Sequence, residues 1–334
     1  MSGIRLRQWL SQVARFAITA ALLWYVFSKV DFASLGMRIL DFSPALLLLV
    51  VVVLLAQVPV AAARWLVVIR TIHGPIQFGA VLQLMFVGMF FNQALPSAIG
   101  GDALRVWYIY RHGLPLRAAF NSVLLDRIIA MVALLVLMAA SLPWLFRLID
   151  TATIRLAVVA AIVLMTTGLL VLYGVKYLPA FLFRWRLVRA VQNLSQDLHT
   201  IAVAPRSAFR ALSLSLLLHG MTSLAVFLIA RSLALDIDVL TCLVLVPPGI
   251  LLTILPISMA GWGIRELGMI SALGYAGVAS ADALLISITL GVLIVLLSLP
   301  GGWIWLAKKY HAPRAEISFS EAAAGGRDTR READ

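Results

Sequence analysis

Charge, cysteine and long polar stretches are all scarce in this chain. Charged residues make up 13% of its 334 residues, where average globular proteins carry about 25%. No polar stretch exceeds about 35 residues, which excludes an autonomous soluble domain. Cys242 is the one cysteine, so a disulfide scaffold is excluded and the thiol reads as a small buried hydrophobe. There is no P-loop, no Rossmann glycine pattern and no nucleophile elbow. His73, His112, His199 and His219 show no metal-ligand spacing. Asp236-Ile237-Asp238 imitates the acidic pair by which glycosyltransferases hold a metal, but nothing near it supplies a nucleotide site. No metal, cofactor or enzymatic activity is therefore expected.

What is abundant is apolar. Apolar residues make up 62% of the chain, and mean hydropathy is +1.00. That is the composition of a polytopic membrane protein. The apolar runs are long and continuous rather than alternating, which argues against a β-barrel. The net charge of +12 comes from 27 basic and 15 acidic residues. In a membrane protein basic residues collect in cytoplasmic loops, so no nucleic-acid partner is inferred. Arginines number 23 and lysines four, a bias consistent with a GC-rich bacterial genome.

The runs predict an all-α architecture. Apolar segments cover Phe16–Phe27, Pro44–Leu66, Phe78–Leu95, Asp126–Phe146, Ala157–Tyr173, Ala211–Ala230, Val239–Leu255 and Ala283–Leu306. Most tryptophans, Trp65 and Trp107 among them, fall near predicted helix ends, as in an aromatic belt. Residues 176–210 form a basic, amphipathic stretch with Lys176, Arg184, Arg186, Arg189, Arg206 and Arg210 against Asp197. That stretch and the basic N-terminus both belong in the cytoplasm. Arg64, Arg70, Arg111 and Arg117 belong on that side too. These constraints fit six full crossings with both termini inside, if 78–111 and 239–279 each enter and return on one side. A membrane domain over 1–309, with halves near 10–146 and 153–307, then precedes a polar tail, 310–334, expected to be disordered.

The two broken segments resemble each other. Leu95-Pro96-Ser97-Ala98-Ile99-Gly100-Gly101-Asp102-Ala103-Leu104-Arg105 and Leu255-Pro256-Ile257-Ser258-Met259-Ala260-Gly261-Trp262-Gly263-Ile264-Arg265 share Leu, Pro, Gly and Arg at the same offsets, 160 residues apart. Paired breaks pointing in opposite directions are the mark of an inverted-repeat transporter, whose site lies where the breaks meet. Broken helices expose N–H groups and a positive dipole end. Gly100, Gly101, Gly261 and Gly263 permit close backbone approach. Arg105 and Arg265 either grip a phosphate through two parallel hydrogen bonds or snorkel to the headgroups. Asp102 can pair with Arg105, and Glu266 adjoins Arg265. Asn92, ahead of Pro96, lines the cavity or bonds freed backbone. Asp126-Arg127 opens a long helix, where it faces the cavity or caps the helix and meets headgroups. His219 reads as helix glue.

Phe91 to Arg105, then Asp126-Arg127, then Leu255 to Glu266, then Ser298-Leu299-Pro300-Gly301-Gly302 together resemble the lysylphosphatidylglycerol synthase transmembrane region, or flippase-like, family. The resemblance covers about residues 10–307. Where this chain has Asp126-Arg127 the family commonly shows Glu-Arg. The resemblance implies a bacterial inner-membrane protein that translocates lipids between leaflets. In the best-known members a soluble aminoacyl-transferase domain follows; this sequence ends 28 residues after Leu306, so synthase activity is not expected of it. The leading expectation is a flippase for an anionic phospholipid or polyprenyl-phosphate-linked lipid. The competing one is an accessory that presents lipid to a cytoplasmic lipid-modifying enzyme or glycosyltransferase docked on 176–210.

Overall fold

A computed structural model describes residue 24 and residues 42–95, 100–177, 186–251, 253 and 261–307. The predicted first crossing apart from Trp24, the tail, and Pro96, Ser97, Pro256 and Ser258 lie outside the described residues.

Hydrocarbon offers the backbone no partners, so an apolar chain of this kind must satisfy its own N–H and C=O groups in helices. The described residues form ten α-helices and one 3-10 turn, with no strand among them: α1 (Pro44–Ile72), α2 (Phe78–Ala94), α3 (Gly100–Arg111), α4 (Leu116–Leu148), α5 (Ala152–Gly174), α6 (Arg186–Ala202), α7 (Pro205–Ser232), α8 (Val239–Leu251), α9 (Ile264–Gly274) and α10 (Ser280–Ala307). Pro44 and Pro205 sit in the first turns of α1 and α7, where a missing N–H costs nothing. Pro59, Pro143 and Pro300 lie inside α1, α4 and α10 without ending them. Helices α1, α4, α5, α7 and α10 are long and apolar enough to cross a membrane. The protein is a polytopic helical membrane protein.

Several helices exceed their sequence-based limits. α1 continues to Ile72 and α4 begins at Leu116. Asp126 is therefore not at a helix start but ten residues inside one. Arg64 lies eight residues before the end of α1, and Trp65 is fully buried instead of sitting in an aromatic belt. Charge and polarity marked the ends too early, because these polar side chains find partners within the bundle.

α1 and α7 pack antiparallel: Arg64 meets Ser215 and Gln57 meets Thr222, so one index rises as the other falls. α2 and α3 fold back on each other, and α3 ends beside the α1–α2 connection, where Ile69, Ile76, Ile109 and Leu114 share one core. α8 and α9 fold back likewise, and α9 ends beside the α7–α8 link, where Leu235, Ile237, Leu273 and Val278 meet. The first folded pair thus opens at one end of the bundle and the second at the other. The helix α6 lies against that first end. Asn121 Nδ2 donates to its Asp197 (2.5 Å), and its Ser195 Oγ donates to Tyr173 O (3.0 Å).

Candidate functional site

The close fold of α2 on α3 depends on glycine. A Cβ on Gly101 would strike the carbonyl oxygen of Gly88. Gly101 N instead donates to Asn92 Oδ1 at 2.9 Å, so Asn92 bonds freed backbone. Gly100 packs against the Leu95 side chain. This geometry brings Asp102 and Arg105, one turn apart on α3, against α1 and α4.

There they join a chain of five charges. Arg64 Nε donates to Asp126 Oδ1 (2.8 Å), and Arg105 Nη2 donates to Asp126 Oδ2 (2.9 Å). Arg105 Nη1 donates to Asp102 Oδ1 (3.0 Å). Arg127 grips Asp102 with both Nε and Nη2, each at 2.9 Å. Arg105 also lies over the Trp65 ring, 4.0 Å from its centroid, and its stem passes Gly88. The order is Arg64, Asp126, Arg105, Asp102, Arg127, and three arginines against two aspartates leave a surplus of one positive charge.

Burial grades along this chain. Asp126 is 0%, Arg105 3% and Arg64 6% exposed, whereas the Arg127 side chain is 51% exposed. Taking charges out of water costs several kcal/mol per ion unless each is paired. Here the buried members are paired, and of the two arginines that end the chain, Arg64 and Arg127, Arg127 is the accessible one. An anion approaching Arg127 would meet a bidentate donor held now by Asp102.

The second folded pair holds a smaller cluster. Arg265 Nη2 donates to Glu266 Oε1 (2.6 Å), Arg265 Nε to Ser287 Oγ (3.3 Å), and the guanidinium lies 4.6 Å from the Trp262 ring centroid. Glu266 Oε2 accepts the N–H of Gly263 at 2.5 Å, closing the first turn of α9. Gly263 has φ of 85° and Gly261 of 80°, backbone that favours glycine. A Cβ on Gly291 of α10 would occupy the space of the Arg265 guanidinium. Ten residues further on, about 15 Å along the helix, Gly301 lies against Phe86 O of α2. α10 therefore touches both folded pairs, and its glycines make each contact possible.

Asn92, Gly100, Gly101, Asp102, Arg105, Asp126 and Arg127 come together; Gly261, Gly263, Arg265 and Glu266 form the second group. No hydrogen bond or ion pair among the described residues joins the two. Both arginines hold internal carboxylates rather than open positions. Arg64, Trp65, Ser215, Ser287 and Gly291 were missed. For Arg64 a signal existed, since the apolar run resumes after it as Leu66-Val67-Val68-Ile69. The Asp236/Asp238 pair is local structure: Asp238 receives the N–H and hydroxyl of Thr241 at the start of α8, both at 2.7 Å, and Asp236 pairs with Arg231 at 3.5 Å. His219 faces the carbonyl of Ala130, with Nε2 at 3.0 Å, as expected of a residue that ties two helices. Cys242 is buried.

The sequence matches the family described as lysylphosphatidylglycerol synthase TM region over residues 12–301. No curated protein matches it.

Proposed function

The chain belongs to the lysylphosphatidylglycerol synthase TM region family, and from that premise we propose that it carries an anionic phospholipid or polyprenyl-phosphate-linked lipid between the leaflets of a bacterial inner membrane. The observation that carries this reading is the five-charge chain, positive by one, whose one exposed arginine is Arg127. Charged groups at membrane depth are expensive and are kept where they serve a pathway.

The headgroup phosphate displaces Asp102 from Arg127 and takes the bidentate grip. Asp126 keeps Arg64 and Arg105 in place meanwhile, so the exchange breaks one exposed pair and leaves the buried ones intact. The acyl or prenyl tails stay in the bilayer. The two folded pairs, opening at opposite ends and joined by α10, act as the halves of an inverted repeat that rock about the site. The basic end of the bundle, with Arg70, Arg111, Arg117 and Lys176, faces the cytoplasm with both termini. Energy comes from a gradient or a partner, since the sequence carries no nucleotide motif.

The test is headgroup movement in liposomes, with purified protein, fluorescent phosphatidylglycerol or a polyprenyl phosphate, and a membrane-impermeant quencher. Wild type should accelerate movement, and Arg127→Gln should abolish it. A folded wild type that moves neither lipid but retains a stoichiometric lipid-modifying enzyme on purification would replace transport with an accessory role.

A further inference from the structure

The interface of α1 and α7 is apolar at its far half, where Val50 and Leu54 meet Ala225, Val226 and Ile229. Nearer the charged chain it is not. Ser215, His219, Thr222 and Ser223 recur at three- and four-residue spacing and so share one face of α7. Arg64 and Gln57 answer them from α1: Arg64 Nη1 donates to Ser215 Oγ and Thr222 Oγ1 donates to Gln57 Oε1, each at 3.4 Å. This makes a polar lane about 10 Å long, from the seven-position separation of Gln57 and Arg64. Two polar atoms along it, Gln57 Nε2 and Ser223 Oγ, are buried with no hydrogen-bond partner among the described residues. Buried polar atoms of this kind are ordinarily satisfied by water.

His219 stands in the middle of the lane. Its Nε2 lies 3.0 Å from Ala130 O, and a carbonyl can only accept, so that nitrogen carries the hydrogen and Nδ1 holds the free lone pair. Ala130 is one turn from Asp126 on α4. Arg64 on α1 lies within electrostatic reach of His219, and Asp126 and Arg127 lie four and three residues before Ala130 on α4. α7 carries no charged group between Arg210 and Arg231, α8 carries none, Asp282 of α10 lies at the far end, and Asp197 and His199 of α6 lie at the basic end. Asp102, Asp126 and Glu266 are each paired with an arginine. No carboxylate among the described residues touches His219.

Resting on the transport reading above, we propose that transport is proton-coupled and that His219 Nδ1 carries the coupling proton. Hydronium on the acidic side gives its proton to Nδ1, and the proton leaves Nδ1 to water on the other side. Only an N–H bond forms and breaks, and nothing is oxidised or reduced. Protonation raises the surplus of the site from one positive charge to two and presses on Arg64, so it favours an anion at Arg127. The linkage is reciprocal: a bound headgroup favours the protonated imidazole by the same factor, on the order of tenfold for couplings of this kind. Headgroup and proton therefore travel together.

The test uses full-length protein in liposomes with fluorescent phosphatidylglycerol outside and a pH dye inside. His219→Gln keeps a donor for Ala130 O and cannot titrate; His219→Asn serves if the first variant fails to fold. In wild type an acid-outside gradient should accelerate lipid movement several-fold and acidify the lumen with it. The variant should move lipid at one rate with or without the gradient, and without proton entry. A wild type indifferent to the gradient, or a variant that responds as wild type does, overturns the proposal. Should wild type move neither phosphatidylglycerol nor a polyprenyl phosphate, the transport reading fails, and binding of both as short-chain lipids in detergent at pH 5.5 and 8 then decides the linkage. About tenfold tighter binding at acid pH in wild type and none in the variant supports it. Equal affinities, or no binding, overturn it.

Discussion

Replacing Asp126 by asparagine should damage this protein more than any other single change in the charged chain. The carboxylate is 0% exposed and holds Arg64 at 2.8 Å and Arg105 at 2.9 Å. Without its charge, two guanidiniums face one neutral amide. Two cations about 5 Å apart at an effective dielectric near 20 repel by about 3 kcal/mol. Removing one partner of a buried pair costs about 3–5 kcal/mol in measured cases. The expected loss is therefore about 3–5 kcal/mol, read from the SDS-unfolding midpoint of purified protein in mixed micelles. The double variant Arg64→Met/Asp126→Asn should recover part of that loss. One stranded cation is then gone, and Arg105 keeps Asp102 at 3.0 Å. The pairwise coupling from the four-member cycle should exceed about 0.5 kcal/mol, the scatter of independent sites. An Asp126→Asn variant that unfolds within about 0.5 kcal/mol of wild type would refute the claim that this carboxylate holds the cluster together.

Arg127→Gln should leave stability within about 1 kcal/mol of wild type, since exposed pairs contribute little, yet abolish lipid movement; intact transport would remove Arg127 from the proposed path. Gly101→Leu drives a side chain into Gly88 O and should cost about 1–3 kcal/mol or more, seen as a lower midpoint and new protease sensitivity between α2 and α3. Gly291→Val should displace Arg265 and lower the unfolding midpoint without altering Arg127-dependent binding; an unchanged midpoint would show that Arg265 is not fixed there. Asp238→Ala removes the Thr241 bonds at the start of α8 and should cost about 1 kcal/mol, as lost caps do. Those bonds hold the Asp238 carboxyl below its ordinary range. Its contribution is therefore present above the unfolded value and lost as pH falls through the folded one, so wild type and Asp238→Ala should converge in midpoint at acid pH.

Several features were legible without a structure because they are local. Hydrocarbon-length apolar runs dictate helices, whatever their neighbours. Pro96 and Gly100-Gly101 in one segment, and Gly261 and Gly263 in the other, punctuate the chain by their own backbone preferences. Asp102 and Arg105 are three residues apart, so any helix brings them together, and the ordered motifs were enough to indicate the family. Tertiary structure decided the partners. Asp126 is 62 residues from Arg64 and 21 from Arg105, and no periodicity connects such positions. Read alone, Arg64 and Asp126 looked like helix-end charges, because an unpaired charge would be driven to an end. Inside the bundle each meets its opposite, and that pairing is what allows both to stay at depth. Whether a charge in an apolar helix marks a boundary or a site depends on what faces it across the bundle, and the packing of α1, α3 and α4 alone supplies that.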